Sequence, residues 1–184
     1  MKNRQRLLTL SVIVVIAALT RLAPHPANVT PIAAMALFGG ACFHGRWLAF
    51  LLPLGAMLLS DVALGLGVYG ISSMKSQPVV YLCMLATVAM GRLIHGRRST
   101  TTIALATLAS SLLFYLVTNF AVWAFGSLYP KTWAGLVACY TAALPFFRNS
   151  VAGDFTFAAV LFGGFASLER SFVSLREAAP AQGV

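Results

Sequence analysis

The stretch that decides the fold is residues 21–43, RLAPHPANVTPIAAMALFGGACF, a polar, proline-broken loop followed by an apolar run. Two prolines flank His25, and a third, Pro31, follows Thr30. Proline lacks a backbone donor and disfavours helix at the preceding residue, so helix is disfavoured from about residue 23 to residue 30. Pro31 suits the first position of a new helix. The stretch therefore predicts a rigid loop that separates two helices.

Two interpretations of this loop remain open. It could hold His25, Asn28 and Thr30 in place at the rim of a ligand site, or it could be a tight extracellular turn with no ligand. The sequence of the loop favours neither one.

Composition indicates an integral membrane protein. The chain has 59% hydrophobic and only 9% charged residues, with a mean hydropathy of +0.85, whereas soluble domains carry about 25% charged residues. Its three cysteines, Cys42, Cys83 and Cys139, share no C-x-x-C spacing and lie in apolar sequence. We therefore expect these cysteines to be small packing residues. Their spacing indicates neither a disulfide framework nor a zinc site.

Apolar runs predict an all-α integral membrane fold with six transmembrane helices. The six segments are residues 7–22, 31–43, 47–66, 78–94, 101–125 and 150–168. A span needs about 20 residues, so the second segment is short and is expected to cross with help from its flanks. Its Ala36 and Gly40 form a small-xxx-small pair that permits close helix contact. Residues 1–170 make a single transmembrane domain, and residues 171–184 are predicted to be a disordered cytoplasmic tail.

Two loops on the outer side of this arrangement are long. Residues 65–77 are rich in glycine and serine, and such a loop is able to fold over the outer face of the protein. Within residues 126–149, apolar residues from Trp133 to Leu144, with Tyr140 among them, follow the spacing of one helical face. This pattern predicts an amphipathic surface helix that Pro145 ends, lying either on the membrane or over a site.

Charge predicts the orientation. Six spans place both termini on one side, together with nine of the 13 Lys and Arg residues. Lys and Arg prefer cytoplasmic loops, so the termini are predicted to be cytoplasmic. The net charge of +9 then reflects topology, and binding to nucleic acid is not predicted.

Polar residues of this arrangement collect near its outer face. A charged side chain inside a span costs about 2.5 to 3.5 kcal/mol and should face protein, water or a ligand. The candidate substrate-binding residues are His25, Asn28, Asp61, Tyr81, Asn119, Tyr140, Arg148 and Asp154. One interpretation is an outward-facing polar cavity that binds substrate. The other is a set of internal ion pairs, such as Arg148 with Asp154 or with Asp61.

Four segments carry a resemblance to a known family. They are residues 24–41 (PHPANVTPIAAMALFGGA), 53–65 (PLGAMLLSDVALG), 78–81 (PVVY) and 129–155 (YPKTWAGLVACYTAALPFFRNSVAGDF). The chain resembles small bacterial membrane proteins similar to the solitary S components of energy-coupling-factor vitamin transporters, and among these the cobalamin-transporting members. The resemblance implies six helices in the inner membrane with a substrate cavity toward the outside.

The resemblance also implies roles for particular residues. His25 would meet the corrinoid as an axial ligand to cobalt, and Asp61, Tyr81 and Arg148 would line the site. Ser76 and Gln77 stand where relatives carry a cysteine, so cysteine-assisted removal of a cobalt ligand is not predicted. Residues 7–22 lack the Ala-xxx-Ala pair that docks S components on a shared subunit, which favours a solitary protein; whether an energy-coupling module takes part is left open.

The function predicted in this way is binding and uptake of a vitamin-like solute, namely cobalamin or another corrinoid carried as cargo, with no intrinsic cofactor. An enzyme is not predicted, because the chain has no H-E-x-x-H, G-x-S-x-G or phosphate-binding loop. Two alternatives remain: a membrane enzyme that uses Asp61, Asp154 and His25 for acid–base or metal chemistry, and an assembly protein without a small ligand.

Overall fold

A computed structural model describes residues 2–24, 26–66 and 77–176. Its helices are α1 (Lys2–Leu19, continued by the 3-10 turn Thr20–Leu22), α2 (Ile32–Cys42), α3 (Arg46–Leu64), α4 (Gln77–Leu93), α5 (Thr100–Phe125), α6 (Trp133–Ala158), a π-helical turn (Ala159–Gly163), α7 (Gly164–Ser171) and the 3-10 turn Val173–Leu175. The described ranges contain no strand. The all-helical prediction is therefore confirmed for these residues.

Within the described residues, four helical stretches are long and apolar enough to cross a membrane. They are Arg4–Leu22, Arg46–Leu64, Thr100–Phe125 and Trp133–Ser171. The other two predicted spans correspond to shorter apolar helices, α2 with 11 residues and α4 with 17. Both fall below the roughly 20 residues that usually cross a bilayer.

The short helix α2 forms the centre of the core. All of its residues from Ala33 to Cys42 are buried, and it contacts α1, α3, α4, α5 and α6. A helix that is apolar on every side is stable when protein surrounds it completely. The helix begins one residue later than predicted, at Ile32, with Pro31 as its N-cap.

Two glycines bring α2 and α4 together. A methyl group added at Gly40 would lie 2.2 Å from the carbonyl oxygen of Val88 and 2.8 Å from the Cα atom of Gly91. A methyl group at Gly91 would lie 2.4 Å from the carbonyl oxygen of Leu37. The backbones therefore touch directly, which is the role that small residues take in membrane helices.

Pro145 does not end a surface helix, and that prediction was wrong. The helix begins at Trp133 as expected, with the Thr132 hydroxyl accepting a hydrogen bond from the Gly135 amide at 3.2 Å. It then runs through Pro145 and on to Ser171. Proline removes a single hydrogen bond, at a cost of about 3 kcal/mol, and membrane helices tolerate that loss where neighbouring groups compensate. The apolar sequence on both sides of Pro145 keeps the helix continuous.

Charged contacts gather at one end of the bundle, which we call the basic end. There Arg6 Nη1 lies 2.5 Å from Glu169 Oε1, and Arg98 Nη2 lies 3.5 Å from the same oxygen. Arg92 donates a hydrogen bond to the carbonyl oxygen of Phe43 at 2.7 Å. These contacts join the start of α1, the α2–α3 turn, the α4–α5 turn and the end of α7. The α1–α2 loop, the end of α3 and the start of α4 lie at the other end, which we call the loop end.

Part of the predicted tail is folded. The 3-10 turn Val173–Leu175 packs on α1, the side chain of Leu175 is buried, and its carbonyl oxygen accepts a hydrogen bond from Arg6. Residues 177–184 lie outside the described residues.

Candidate functional site

Asp61 is the centre of a buried polar cluster at the loop end. It lies in the last part of α3 and is 3% exposed. Arg21 Nη2 lies 2.7 Å from Asp61 Oδ1, and the Tyr81 hydroxyl donates a hydrogen bond to Asp61 Oδ2 at 2.9 Å. The carboxylate therefore connects the turn after α1, α3 and the first part of α4.

Arg21 has a second partner in the same cluster. Its Nη1 atom donates a hydrogen bond to the Ser60 hydroxyl at 2.5 Å, and that hydroxyl donates to the carbonyl oxygen of Met57 at 2.8 Å. The Arg21 side chain is 8% exposed. A buried ion pair is stable only when further hydrogen bonds satisfy its remaining polar atoms, and Ser60 and Tyr81 supply two of them.

The partner predicted for Asp61 was Arg148, whereas the structure pairs Asp61 with Arg21. Arg21 follows an apolar run, where a long basic side chain usually extends to the membrane interface. Arg21 could have been identified from its position beside an apolar segment. A charge there is costly, which favours its pairing with a nearby buried carboxylate. Arg148 is exposed and makes no hydrogen bond or ion pair within the described residues.

Asp154 forms a separate polar contact between α5 and α6. It is 6% exposed, and the Ser111 hydroxyl donates a hydrogen bond to its Oδ2 atom at 2.7 Å. Within the described part of the chain no basic side chain pairs with it, so the predicted alternative of an Arg148–Asp154 ion pair is not found. The Ser110 hydroxyl donates to the carbonyl oxygen of Thr107. Thr107, Ser110 and Ser111 are all buried, which gives α5 a buried polar strip.

Asn119 and Tyr140 take part in contacts between and within α5 and α6. Asn119 Nδ2 donates to the carbonyl oxygen of Tyr115 in its own helix at 2.8 Å. The Tyr140 hydroxyl donates to the carbonyl oxygen of Leu116 at 2.7 Å, while the Tyr115 hydroxyl donates to the carbonyl oxygen of Tyr140 at 2.8 Å. These contacts hold the two helices together.

The α1–α2 loop packs against α6. Asn149 Nδ2 donates to the carbonyl oxygen of Ala27 at 3.2 Å, and a methyl group at Gly153 would lie 3.1 Å from the Cα atom of Val29. Asn28 is exposed and has a φ of 63°, a left-handed conformation that asparagine adopts more readily than most residues. The loop is thus fixed beside the part of α6 that carries Arg148.

His25 and the loop of residues 67–76 lie outside the described residues. The structure brings Asp61 together with Tyr81, Asn119 close to Tyr140, and the loop of Asn28 close to α6. The described residues contain no group of three or more His, Cys, Asp or Glu side chains arranged to hold a metal ion. The shared outward cavity stays a prediction.

The part of the chain that the structure describes is helical, has four helices able to cross a membrane, and is built around a buried apolar helix and a buried Arg–Asp pair. The chain belongs to a family of unknown function, DUF6580, whose family model matches residues 1–178. No curated protein and no solved structure matches the chain.

Proposed function

We propose that the chain is a multi-pass protein of a bacterial inner membrane in which the four long helices and the two shorter ones, α2 and α4, all cross the bilayer and both termini are cytoplasmic. The alternation of helix ends between the basic end and the loop end supports this arrangement. α2 and α4 are short, but buried backbone at membrane depth is tolerated where other helices enclose it, and α2 is enclosed on all sides. The arginines of the basic end agree with a cytoplasmic face.

We further propose that the protein binds a vitamin-like solute at the loop end for uptake, in the manner of a solitary S component, with a corrinoid as the solute. The observation that carries this proposal is the buried cluster of Arg21, Asp61 and Tyr81. It fixes three helices beneath the loop that contains His25. Such a rigid base orients ligand-binding groups at little entropic cost.

The loop end offers groups suited to this ligand. A neutral imidazole is a good ligand for cobalt, and His25 is the residue of the loop that provides one. Arg148 is exposed and has no partner within the described residues, so its guanidinium is able to bind a carbonyl or phosphate oxygen of the solute. The proposed protein performs no chemistry on its cargo.

The experiment is a binding measurement with cobalamin on the purified full chain and on His25→Ala. We expect at least a tenfold loss of affinity in the variant, about 1.4 kcal/mol, with an unchanged melting temperature because both flanking prolines remain. The absorbance change of the bound corrinoid should also be lost. His44→Ala is the matched control, since His44 lies in the α2–α3 turn at the basic end. No binding by the wild-type chain would reject the corrinoid, and equal affinities would remove His25 from the site.

A second candidate function is helix assembly without a small ligand. It is favoured by Asn119 and Tyr140, whose polar side-chain atoms are hydrogen-bonded to helix backbone. Growth of a vitamin auxotroph at limiting vitamin separates the two functions. An uptake protein should be required under that condition, whereas an assembly protein should not.

A further inference from the structure

A cavity of about 720 Å³ lies near the basic end, between the first half of α5 and the stretch from the end of α6 to α7. Ile103, Ala104 and Thr107 form one wall, and Ala158, Phe162 and Phe165 are part of the other. The volume falls within the roughly 300 to 1,000 Å³ typical of small-molecule sites. None of the candidate residues of the loop end lines this cavity, so it is a separate feature.

The cavity opens on the side of the bundle. Seven of its lining residues are exposed, and Phe155, Ala159 and Gly163 are among them. The large apolar side chains beside them are exposed as well, with Leu105 and Val160 each 63% exposed. An apolar lateral surface of this kind contacts lipid in a membrane protein, so the cavity is accessible to lipid chains.

The π-helical turn shapes the outer wall. The turn comprises Ala159–Gly163, and its Ala159, Phe162 and Gly163 line the cavity. A π-helical turn widens the helix locally and is often found at functional sites. Here the π-helical turn faces the cavity, across from α5.

Basic side chains line the part of the cavity at the basic end of the bundle, which we call its mouth. Arg98 and Arg170 are among its lining residues, as is Thr100 in the first turn of α5. The positive end of a helix dipole favours an anion at that position. Glu169 is the one carboxylate among the described residues that line the cavity, and it is already paired with Arg6 at 2.5 Å and with Arg98 at 3.5 Å.

We infer that this cavity binds an anionic phospholipid of the cytoplasmic leaflet, with its phosphate at Arg98 and Arg170 and an acyl chain along the apolar walls. Basic pockets between membrane helices on the cytoplasmic side are suited to anionic head groups, and arginine binds phosphate oxygens through paired hydrogen bonds. The inference rests on the membrane orientation proposed above and does not depend on the identity of the solute.

The test is native mass spectrometry of the detergent-purified full chain with phosphatidylglycerol or phosphatidylcholine of the same acyl chains. We expect the wild-type chain to retain at least tenfold more phosphatidylglycerol than phosphatidylcholine. Arg170→Gln should lower that retention severalfold, because it removes a charge at the mouth. Arg46→Gln is the charge-matched control, since Arg46 is exposed at the same end and does not line the cavity.

A second pair of variants tests the cavity itself. A Cβ atom added at Gly163 meets nothing within 4 Å, and Gly163 lines the cavity, so Gly163→Leu is expected to occupy part of the cavity and displace the lipid. Gly164→Leu is its control, because Gly164 is equally free of contacts and does not line the cavity. Equal retention of the two lipids, or retention that survives Gly163→Leu, would overturn the inference. A dimer that Gly163→Leu dissociates, with no lipid retained, would overturn it in favour of a second copy of the chain.

Discussion

Arg21 Nη2 lies 2.7 Å from Asp61 Oδ1, and the two side chains are only 8% and 1% exposed. The ion pair is therefore shielded from water and from salt. Removing one partner of such a pair leaves a buried charge and costs about 3 to 5 kcal/mol, whereas replacing both with apolar residues is often neutral. This asymmetry gives the pair a measurable signature.

The first prediction concerns this signature. Asp61→Asn and Arg21→Gln should each lower the free energy of unfolding by about 3 kcal/mol, because each leaves its partner unpaired. The double variant Arg21→Met with Asp61→Leu should recover most of that loss. Tyr81→Phe should cost less, about 1.5 to 3 kcal/mol, since it removes one hydrogen bond to a charged group.

Chemical unfolding in detergent measures these differences. The pairing with Arg21 predicts that Asp61→Asn loses stability whether or not it also loses ligand binding. A variant Asp61→Asn that unfolds like the wild-type chain and no longer binds solute would contradict a structural role for the pair.

Much of the fold follows from the sequence because apolar length and proline position determine where membrane helices begin and end. Ile32 starts α2 directly after Pro31, as local backbone sterics require. The continuation of α6 past Pro145 could not be predicted from the sequence. The free energy that a proline costs within a long apolar helix is smaller than the stabilisation from burial and hydrogen bonding of the neighbouring residues. A local rule about proline does not include that balance.

Only part of the candidate site could be predicted from the sequence. Burial of Asp61 and its contact with Tyr81 agree with the cost of a charge in an apolar segment. The identity of the cation did not follow, because Arg21 and Asp61 are 40 residues apart and their meeting depends on how α1 packs on α3. Tertiary packing of that kind is absent from spacing and composition.

The second prediction concerns the contact between α2 and α4. Gly40→Ala should lower the free energy of unfolding by about 1 to 3 kcal/mol, because the added methyl group would meet the backbone at Val88 and Gly91. Gly55→Ala is the matched control in α3. A methyl group there meets nothing within 4 Å, so this change should be neutral or stabilising by up to about 1 kcal/mol. Equal effects of the two changes in thermal melting would show that α2 and α4 are not in backbone contact.

The third prediction concerns the long helix from Trp133 to Ser171. At about 1.5 Å per residue its 39 residues extend about 58 Å, nearly twice the roughly 30 Å of the hydrocarbon core. Single cysteines introduced at Ser127 and at Ser171, which lie before and at the end of this helix, should react with an impermeant thiol reagent from opposite sides of the membrane. The background should lack Cys42, Cys83 and Cys139, and Ser171 should be the cytoplasmic position. Labelling of both positions from one side would mean that this helix does not span.

The last prediction compares the two buried aspartates. Asp61 is paired with Arg21, whereas Asp154 accepts a hydrogen bond from Ser111 and has no basic partner in the described residues. An unpaired carboxylate in a span is costly, and an amide of the same shape is less so. Asp154→Asn should therefore leave the free energy of unfolding unchanged or raise it, whereas Asp61→Asn should lower it.

Ser111→Ala should lower the free energy of unfolding by about 1.5 to 3 kcal/mol while Asp154 is present, and by less in the Asp154→Asn background. Ser110→Ala is the control, because the Ser110 hydroxyl donates to the carbonyl oxygen of Thr107 and not to Asp154. A loss of stability in Asp154→Asn as large as that in Asp61→Asn would mean that Asp154 has a cationic partner in the membrane, and the absence of coupling between Ser111 and Asp154 would remove the hydrogen bond as a source of stability.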